Sequence, residues 1–212
     1  QRCRERAKAV GARRVGLWVA PVLRLGAWAG LACWSHGGAA RARGVVAAQA
    51  PFQHDLVDAS PIAMAGFTLQ PRATFDMDAR LLSREDYQLD DLAPISPTDF
   101  ALGWGRMSDN AVLHRIRISQ SNRLYYWYSG HSDEPPIPRK EIENSSANMH
   151  MVPANADIAA RMRDIRPGDV VHVKGMLVDV RRADGWRLTT SLVRDDDGPA
   201  GCEIVLVQAL DQ

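Results

Sequence analysis

The chain has 212 residues with 26 basic and 25 acidic side chains, so its net charge is close to neutral. The charges are unevenly distributed along the chain, because residues 1–50 hold nine basic residues and one acidic residue, whereas the remainder holds 17 basic and 24 acidic residues. An acidic body argues against a nucleic-acid-binding protein, which needs a basic surface. Three cysteines exclude a four-cysteine zinc module and a disulfide-rich framework.

The N-terminal region predicts a membrane anchor. Residues 1–14 form a basic leader, and residues 15–34 are apolar apart from Arg24, which is about the length that spans a bilayer. Since basic residues before a span stay in the cytoplasm, we expect a single-pass inner-membrane protein whose domain faces the periplasm. Arg24 opposes insertion by about 3 kcal/mol. Two alternatives stay open: a cleaved secretory signal, and a misassigned start, because the chain begins with Gln1.

Two regions follow the predicted anchor. Residues 35–65 are rich in small residues and lack periodicity, so they predict a spacer, and residues 66–212 predict one globular domain. The first predicted element of the domain is a half-buried strand over residues 74–81, where apolar and polar side chains alternate. Ser96 begins a helix-capping sequence, Ser-Pro-Thr-Asp, that predicts a short helix ending at Gly103.

Aromatic residues dominate the middle of the domain. A second helix is predicted from Ser108, and a strand follows over residues 123–128 with aromatic or apolar side chains on both faces. Such a strand is either buried on both faces or offers an aromatic surface to a ligand. Together with Trp104, which lies between two glycines, Tyr125 and Trp127 are the predicted ligand-binding residues for a glycan or an envelope protein. Packing of these rings in the core is the alternative.

A dense polar segment over residues 138–154 contains the candidate catalytic residues. It predicts one helical turn followed by a structured loop. Ser146, Asn148 and His150 would supply a general base and orienting groups for a hydrolase. Alternatively, these side chains bond to the backbone of their own loop.

Motifs for metal or cofactor chemistry are absent from the sequence. It contains no phosphate-binding loop, no nucleophile elbow and no His-Glu-x-x-His helix. The histidines lack the spacing of metal ligands. We therefore expect neither a metal site nor a cofactor.

The C-terminal part predicts one helix and a β-meander. Asn155 caps the helix, which ends before Pro167. Three strands follow, over residues 169–180, 186–192 and 202–210. The alternation shifts phase at Gly175, which is typical of a β-bulge in a sharply bent strand. The predicted fold is therefore α+β: a small, strongly bent antiparallel β-barrel, OB-like, with two or three short helices after an N-terminal hydrophobic segment.

Four segments of the domain carry a resemblance: Leu102–Asp109, Ile118–Trp127, Ser146–Ala154 and Pro167–Val178. With these segments the chain resembles a group of uncharacterised proteobacterial proteins over residues 44–210. The resemblance implies an N-terminal membrane anchor followed by one extracytoplasmic domain, and it assigns no catalytic residue. The sequence thus favours a non-catalytic binding or assembly module of the bacterial cell envelope, with a hydrolase around His150, Asn148 and Ser146 as the alternative.

Overall fold

The computed structural model describes residues 44–130, 134–193 and 202–212. These residues form a mostly β domain with few helices and a strongly curved ring of strands. The basic leader and the predicted anchor over residues 15–34 lie outside the described residues. Among the helices of the described part, none has the length and apolar character needed to cross a membrane.

The described residues contain ten strands, three α-helices and one 3₁₀ helix. The strands are β1 (Phe52–Asp55), β2 (Ile62–Met64), β3 (Phe67–Asp86), β4 (Thr98–Gly103), β5 (Ile116–Ser121), β6 (Leu124–Ser129), β7 (Ser146–Pro153), β8 (Val170–Arg182), β9 (Arg187–Leu188) and β10 (Glu203–Asp211). The helices are α1 (Asn110–Leu113), α2 (Arg139–Asn144) and α3 (Ala156–Asp164), and the 3₁₀ helix spans Gly105–Ser108.

Five strands close the ring in the order β3, β4, β7, β10 and β8, with β8 pairing back onto β3. Four of these pairings are antiparallel, whereas β7 and β10 run parallel, so the ring departs from the expected all-antiparallel arrangement. The 20-residue β3 pairs with β8 along its first part and with β4 along its last part. β1 and β2, from the region expected to be a spacer, also pair with β3.

The largest core cluster fills the ring. It receives side chains from every strand of the ring, among them Phe75, Phe100 and Val173. Ile158 and Met162 of α3 join the same cluster, because residues four apart share one face of a helix. The predicted N-cap is confirmed, since the Asn155 side chain accepts a hydrogen bond from the Ile158 backbone N–H at 3.0 Å.

The two helices predicted before residue 117 are largely wrong. The segment behind the Ser96 capping sequence is β4, with all six residues buried. A strand buried on both faces has no wet side, so its sequence lacks the polar alternation that marks a half-buried strand. The helix predicted from Ser108 is only the four-residue α1, and the chain then enters β5.

The polar segment expected to be a loop is the strand β7, which lies between β4 and β10. The predicted helical turn before it is α2. The C-terminal meander is also different from the prediction, because β10 pairs with β8 and β7 rather than with the two-residue β9.

Gly175 has a different role from the predicted one. β8 passes through Gly175 without an irregularity of its own, and the register shifts lie in its partner strands, between Pro71 and Ala73 of β3 and between Val207 and Ala209 of β10. A Cβ at Gly175 would lie 2.0 Å from the Leu206 carbonyl oxygen. The glycine therefore permits a close approach of the β10 backbone.

β5 and β6 form a separate two-stranded sheet, here called the ribbon. The inner face of the ribbon packs against the outer side of β4, where Tyr125 and Trp127 share a buried cluster with Ala101. This packing brings the ribbon turn beside the outward-facing polar residues of β4 and β7.

Candidate functional site

Asp99 is the centre of a group of polar side chains, several of which are buried. It lies on β4 opposite His150 of β7, and neither side chain is exposed to solvent (0%). Its Oδ1 lies 2.9 Å from His150 Nδ1, and its Oδ2 accepts a hydrogen bond from Asn148 Nδ2 at 3.0 Å. Because a carboxylate only accepts, the His150 tautomer that fits carries its proton on Nδ1.

Arg123 reaches this pair from the turn of the ribbon. Its Nη1 donates to Asp99 Oδ1 at 2.6 Å, and it also makes two hydrogen bonds, of 3.0 and 2.9 Å, to the carboxylate of Asp90. The guanidinium lies 3.8 Å from the centre of the Tyr87 ring. We call Tyr87, Asp90, Asp99, Arg123, Asn148 and His150 the Asp99 network. Arg123 pairs with the carboxylates of Asp90 and Asp99, and Asn148 donates a further hydrogen bond to Asp99. These contacts compensate charges that would be costly to bury without a partner.

The ribbon turn shows how firmly Arg123 is held. Asn122 and Arg123 both have positive φ, at 53° and 65°, as a two-residue type I′ hairpin requires. Glycine is the usual residue at the second position, and a side chain there costs about 1–2 kcal/mol. The conformation persists because the Arg123 side chain is fixed by Asp90, Asp99 and the Ser96 carbonyl oxygen.

Two groups of the network have shifted pKa values. Burial, together with the charge of Asp99, raises the pKa of Tyr87 to about 12. Burial also acts to raise the pKa of Asp90, but the hydrogen bonds and charge of Arg123 and the backbone N–H groups of Leu92 and Ala93 outweigh it, so that pKa lies below its ordinary value. The ionised form of Asp90 is therefore favoured in the folded state.

The lowered pKa of Asp90 predicts how the stability of the domain changes at acidic pH. Its contribution to stability is complete above the unfolded-state pKa, near 4, and is lost as the pH falls through the lower folded-state pKa. We expect the free energy of unfolding to fall less steeply below about pH 4 in Asp90→Asn than in the parent chain. Urea titrations between pH 2.5 and 6 measure this. Asp58→Asn, at an exposed carboxylate that has no side-chain partner among the described residues, is the control, and equal slopes for the parent and Asp90→Asn would contradict the prediction.

The three predicted catalytic residues share one face of β7, but they do not form one site. His150 and Asn148 both contact Asp99, whereas Ser146 donates to the Ile142 carbonyl oxygen at 2.6 Å and accepts from the Tyr125 hydroxyl. Ser146 lies four residues before His150 on a strand, a distance of about 13 Å. It is therefore not positioned as a nucleophile for His150.

The predicted aromatic ligand surface is not exposed. Trp104 and Tyr125 are each 4% exposed and Trp127 is 1% exposed. Trp104 belongs to the core of the ring, while the other two pack between ribbon and ring. Burial also raises the pKa of the Tyr125 phenol. This geometry favours the alternative of core packing for all three rings.

The aromatic side chains that face outward are the neighbours of the predicted ones. Opposite the buried face of the ribbon lies its outer face, which we define by Arg117, Ser119, Ser121, Leu124, Tyr126 and Tyr128. The β5 members are exposed and the β6 members are half-buried. The period of two in the sequence separated the two faces of β6 correctly, but it did not show which face meets solvent.

The Asp99 network contains a carboxylate–histidine pair of the kind found in catalytic sites, but the pair is buried and out of reach of a substrate. A carboxylate that orients a histidine is the arrangement used to position a general base. A general base must also reach the proton that it removes, and the buried His150 has no exposed surface. Within the described ranges, no group of three or more His, Cys, Asp or Glu side chains is placed to hold a metal ion.

Comparisons with known proteins add no assignment to this geometry. No protein-family model, curated protein or solved structure gives a significant match to the chain. The function is therefore inferred from the contacts, burial and charges of the chain's own residues.

Proposed function

We propose that this protein is a non-catalytic binding module of the bacterial cell envelope, built on an OB-like barrel, with the outer face of the ribbon as its binding surface. One contrast carries the proposal. Asp99 and His150 are fully buried and occupied with each other, whereas the outer ribbon face turns aromatic and polar side chains toward solvent.

The strand order supports the OB-like part of the proposal. OB-folds are five-stranded Greek-key barrels. The ring here has five strands, a parallel pair between β7 and β10, and α3 inserted between its third and fourth strands in chain order. The close approach of the β10 backbone to Gly175 and the strong curvature of the ring are in keeping with a small barrel.

The position of the ribbon explains why the binding surface would lie on it. Barrels of this type bind oligonucleotides and oligosaccharides on the face of their second and third strands. In this chain those strands are β4 and β7, and the ribbon and the Asp99 network cover their outer side. The surface offered at this side of the barrel is therefore the outer face of the ribbon.

A hydrolase remains the second candidate because of one observation, the 2.9 Å contact between Asp99 and His150. It would require the ribbon to move away before substrate could reach His150. A nucleophile other than Ser146, or an activated water, would also be required, since Ser146 bonds elsewhere. The binding module needs no such movement.

The envelope location is supported by the leader alone. Its basic flank and the apolar residues 15–34 favour a periplasmic domain. A reporter enzyme that is active only in the periplasm, fused after Gln212, should be active in cells. A stable but inactive fusion would refute this part of the proposal.

Site-specific photo-crosslinking in cells tests the binding surface. A photoreactive amino acid at position 119 should form a discrete adduct, while the same residue at position 68, exposed on β3 of the ring, should not. Tyr126→Ala combined with Tyr128→Ala should remove the adduct at position 119 without changing the unfolding midpoint by more than a few degrees, because both rings are only half-buried. Absence of any adduct at position 119, or equal adducts at both positions, would contradict the proposal.

A further inference from the structure

We propose that the outer ribbon face binds an oligosaccharide that carries sparse carboxylate groups, such as a peptidoglycan glycan strand. This inference rests on the proposed function and names the ligand class of that same surface.

Polar side chains without a protein partner on this face are the first argument. In the described residues, the side chains of Arg117, Ser119 and Ser121 and the hydroxyls of Tyr126 and Tyr128 make no hydrogen bond or ion pair with another protein group. Some charged side chains elsewhere on the described surface do find partners. Arg106, for example, pairs with Glu141. A surface with five available polar side chains and two aromatic rings suits a ligand that is rich in hydroxyl groups.

The spacing of the rings is the second argument. Tyr126 and Tyr128 lie two residues apart on β6, which places their rings about 7 Å apart along one face of the ribbon. Ser119 pairs across the ribbon with Tyr126, and Arg117 pairs with Tyr128. A sugar ring presents C–H groups on one face and hydroxyls at its edge. A tyrosine ring can pack against the C–H face of the sugar, while its hydroxyl and the polar side chains of the neighbouring strand can bond to the sugar hydroxyls.

Charge determines which glycan fits. The ribbon, residues 116–129, contains two arginines and no acidic residue. Arg123 is neutralised by Asp90 and Asp99, so Arg117 remains as the charge of the outer face. A guanidinium matches a carboxylate through two parallel hydrogen bonds. The body as a whole is acidic, with 17 basic and 24 acidic residues after residue 50, so a ligand with a charge on every unit, such as a nucleic acid, would be repelled.

Isothermal titration calorimetry on the full chain in detergent tests the inference. The probes are peptidoglycan glycan strands freed of peptides, the same strands with their carboxylates amidated, a neutral chitin tetrasaccharide and a single-stranded oligonucleotide. The native strands should bind, and the amidated strands and the chitin tetrasaccharide should bind about tenfold more weakly, because the contact to Arg117 is lost. The oligonucleotide should bind more weakly than the native strands.

Matched variants assign the effect to named side chains. Arg117→Gln should make native and amidated strands bind equally, while Arg181→Gln, at an exposed arginine of β8, should change neither. Tyr126→Ala with Tyr128→Ala should weaken both ligands at least tenfold, whereas Phe52→Ala, at a 67%-exposed ring on β1, should not.

Several results would overturn the inference: no binding of any glycan, equal affinity for native and amidated strands, or tighter binding of the oligonucleotide. If no glycan binds and position 119 still forms an adduct in cells, the ligand class is wrong and the binding module stands. If both experiments are negative, both proposals fail.

Discussion

Replacing Asp99 by Ala is expected to be among the most destabilising single changes in the domain, by about 3–5 kcal/mol. Asp99 accepts hydrogen bonds from Arg123 and Asn148 and contacts His150, and it is not exposed to solvent. The Arg123 side chain is only 12% exposed, and without Asp99 it would keep Asp90 as its one carboxylate partner. Chemical denaturation followed by tryptophan fluorescence measures the change.

The matched control for Asp99 is Asp78 on β3, a 64%-exposed carboxylate that also contacts a histidine, His172. Asp78→Ala should cost less than about 1 kcal/mol, since exposed ion pairs contribute little. Hydrogen exchange should then locate the loss, with amides of the ribbon exchanging faster in Asp99→Ala than in Asp78→Ala. Equal destabilisation by the two variants would refute the structural role of the Asp99 network.

Gly175→Ala is the second change with a large expected effect, about 3 kcal/mol or more. The new Cβ would lie 2.0 Å from the carbonyl oxygen of Leu206. That atom belongs to the backbone of β10 and cannot rotate away as a side chain can, so the pairing of β8 with β10 must shift. Thermal unfolding measures the loss of stability.

Gly130→Ala is the control for this prediction, because a Cβ at Gly130 meets no atom within 4 Å. It should leave the unfolding midpoint nearly unchanged. A Gly175→Ala domain as stable as Gly130→Ala would mean that the two strands separate at little cost, and the close approach would then not shape the ring.

Local patterns in the sequence predicted some elements well. The 3.6-residue spacing and the Asn155 cap gave α3, and the period of two gave β6 and part of β3. The length of β3 was missed because the strands that pair with it change along its length, from β8 together with β1 and β2 to β4. Alternation shows where a strand lies, but it does not show how many neighbours the strand has.

The candidate site was harder to predict because its parts come from distant segments. Asp99 was assigned to a capping box, since a Ser-Pro-Thr-Asp sequence fits the start of a helix equally well. Its partners Arg123 and His150 lie 24 and 51 residues further along the chain. One local signal existed: a hairpin turn with Arg123 where glycine is usual, which indicates a side chain held by something outside the turn.

The order of strands in the ring also governs when the domain can form during synthesis. Phe67 at the start of β3 pairs with Arg182 at the end of β8, and the ring closes only when β10 enters between β7 and β8. Until β10 has emerged, β7 and β8 each keep an edge that can pair with another chain. The contacts that complete the ring are separated by a large part of the chain, which slows folding and lengthens the time during which these edges are open. Truncation before Glu203 should therefore give an aggregating polypeptide rather than a smaller stable domain.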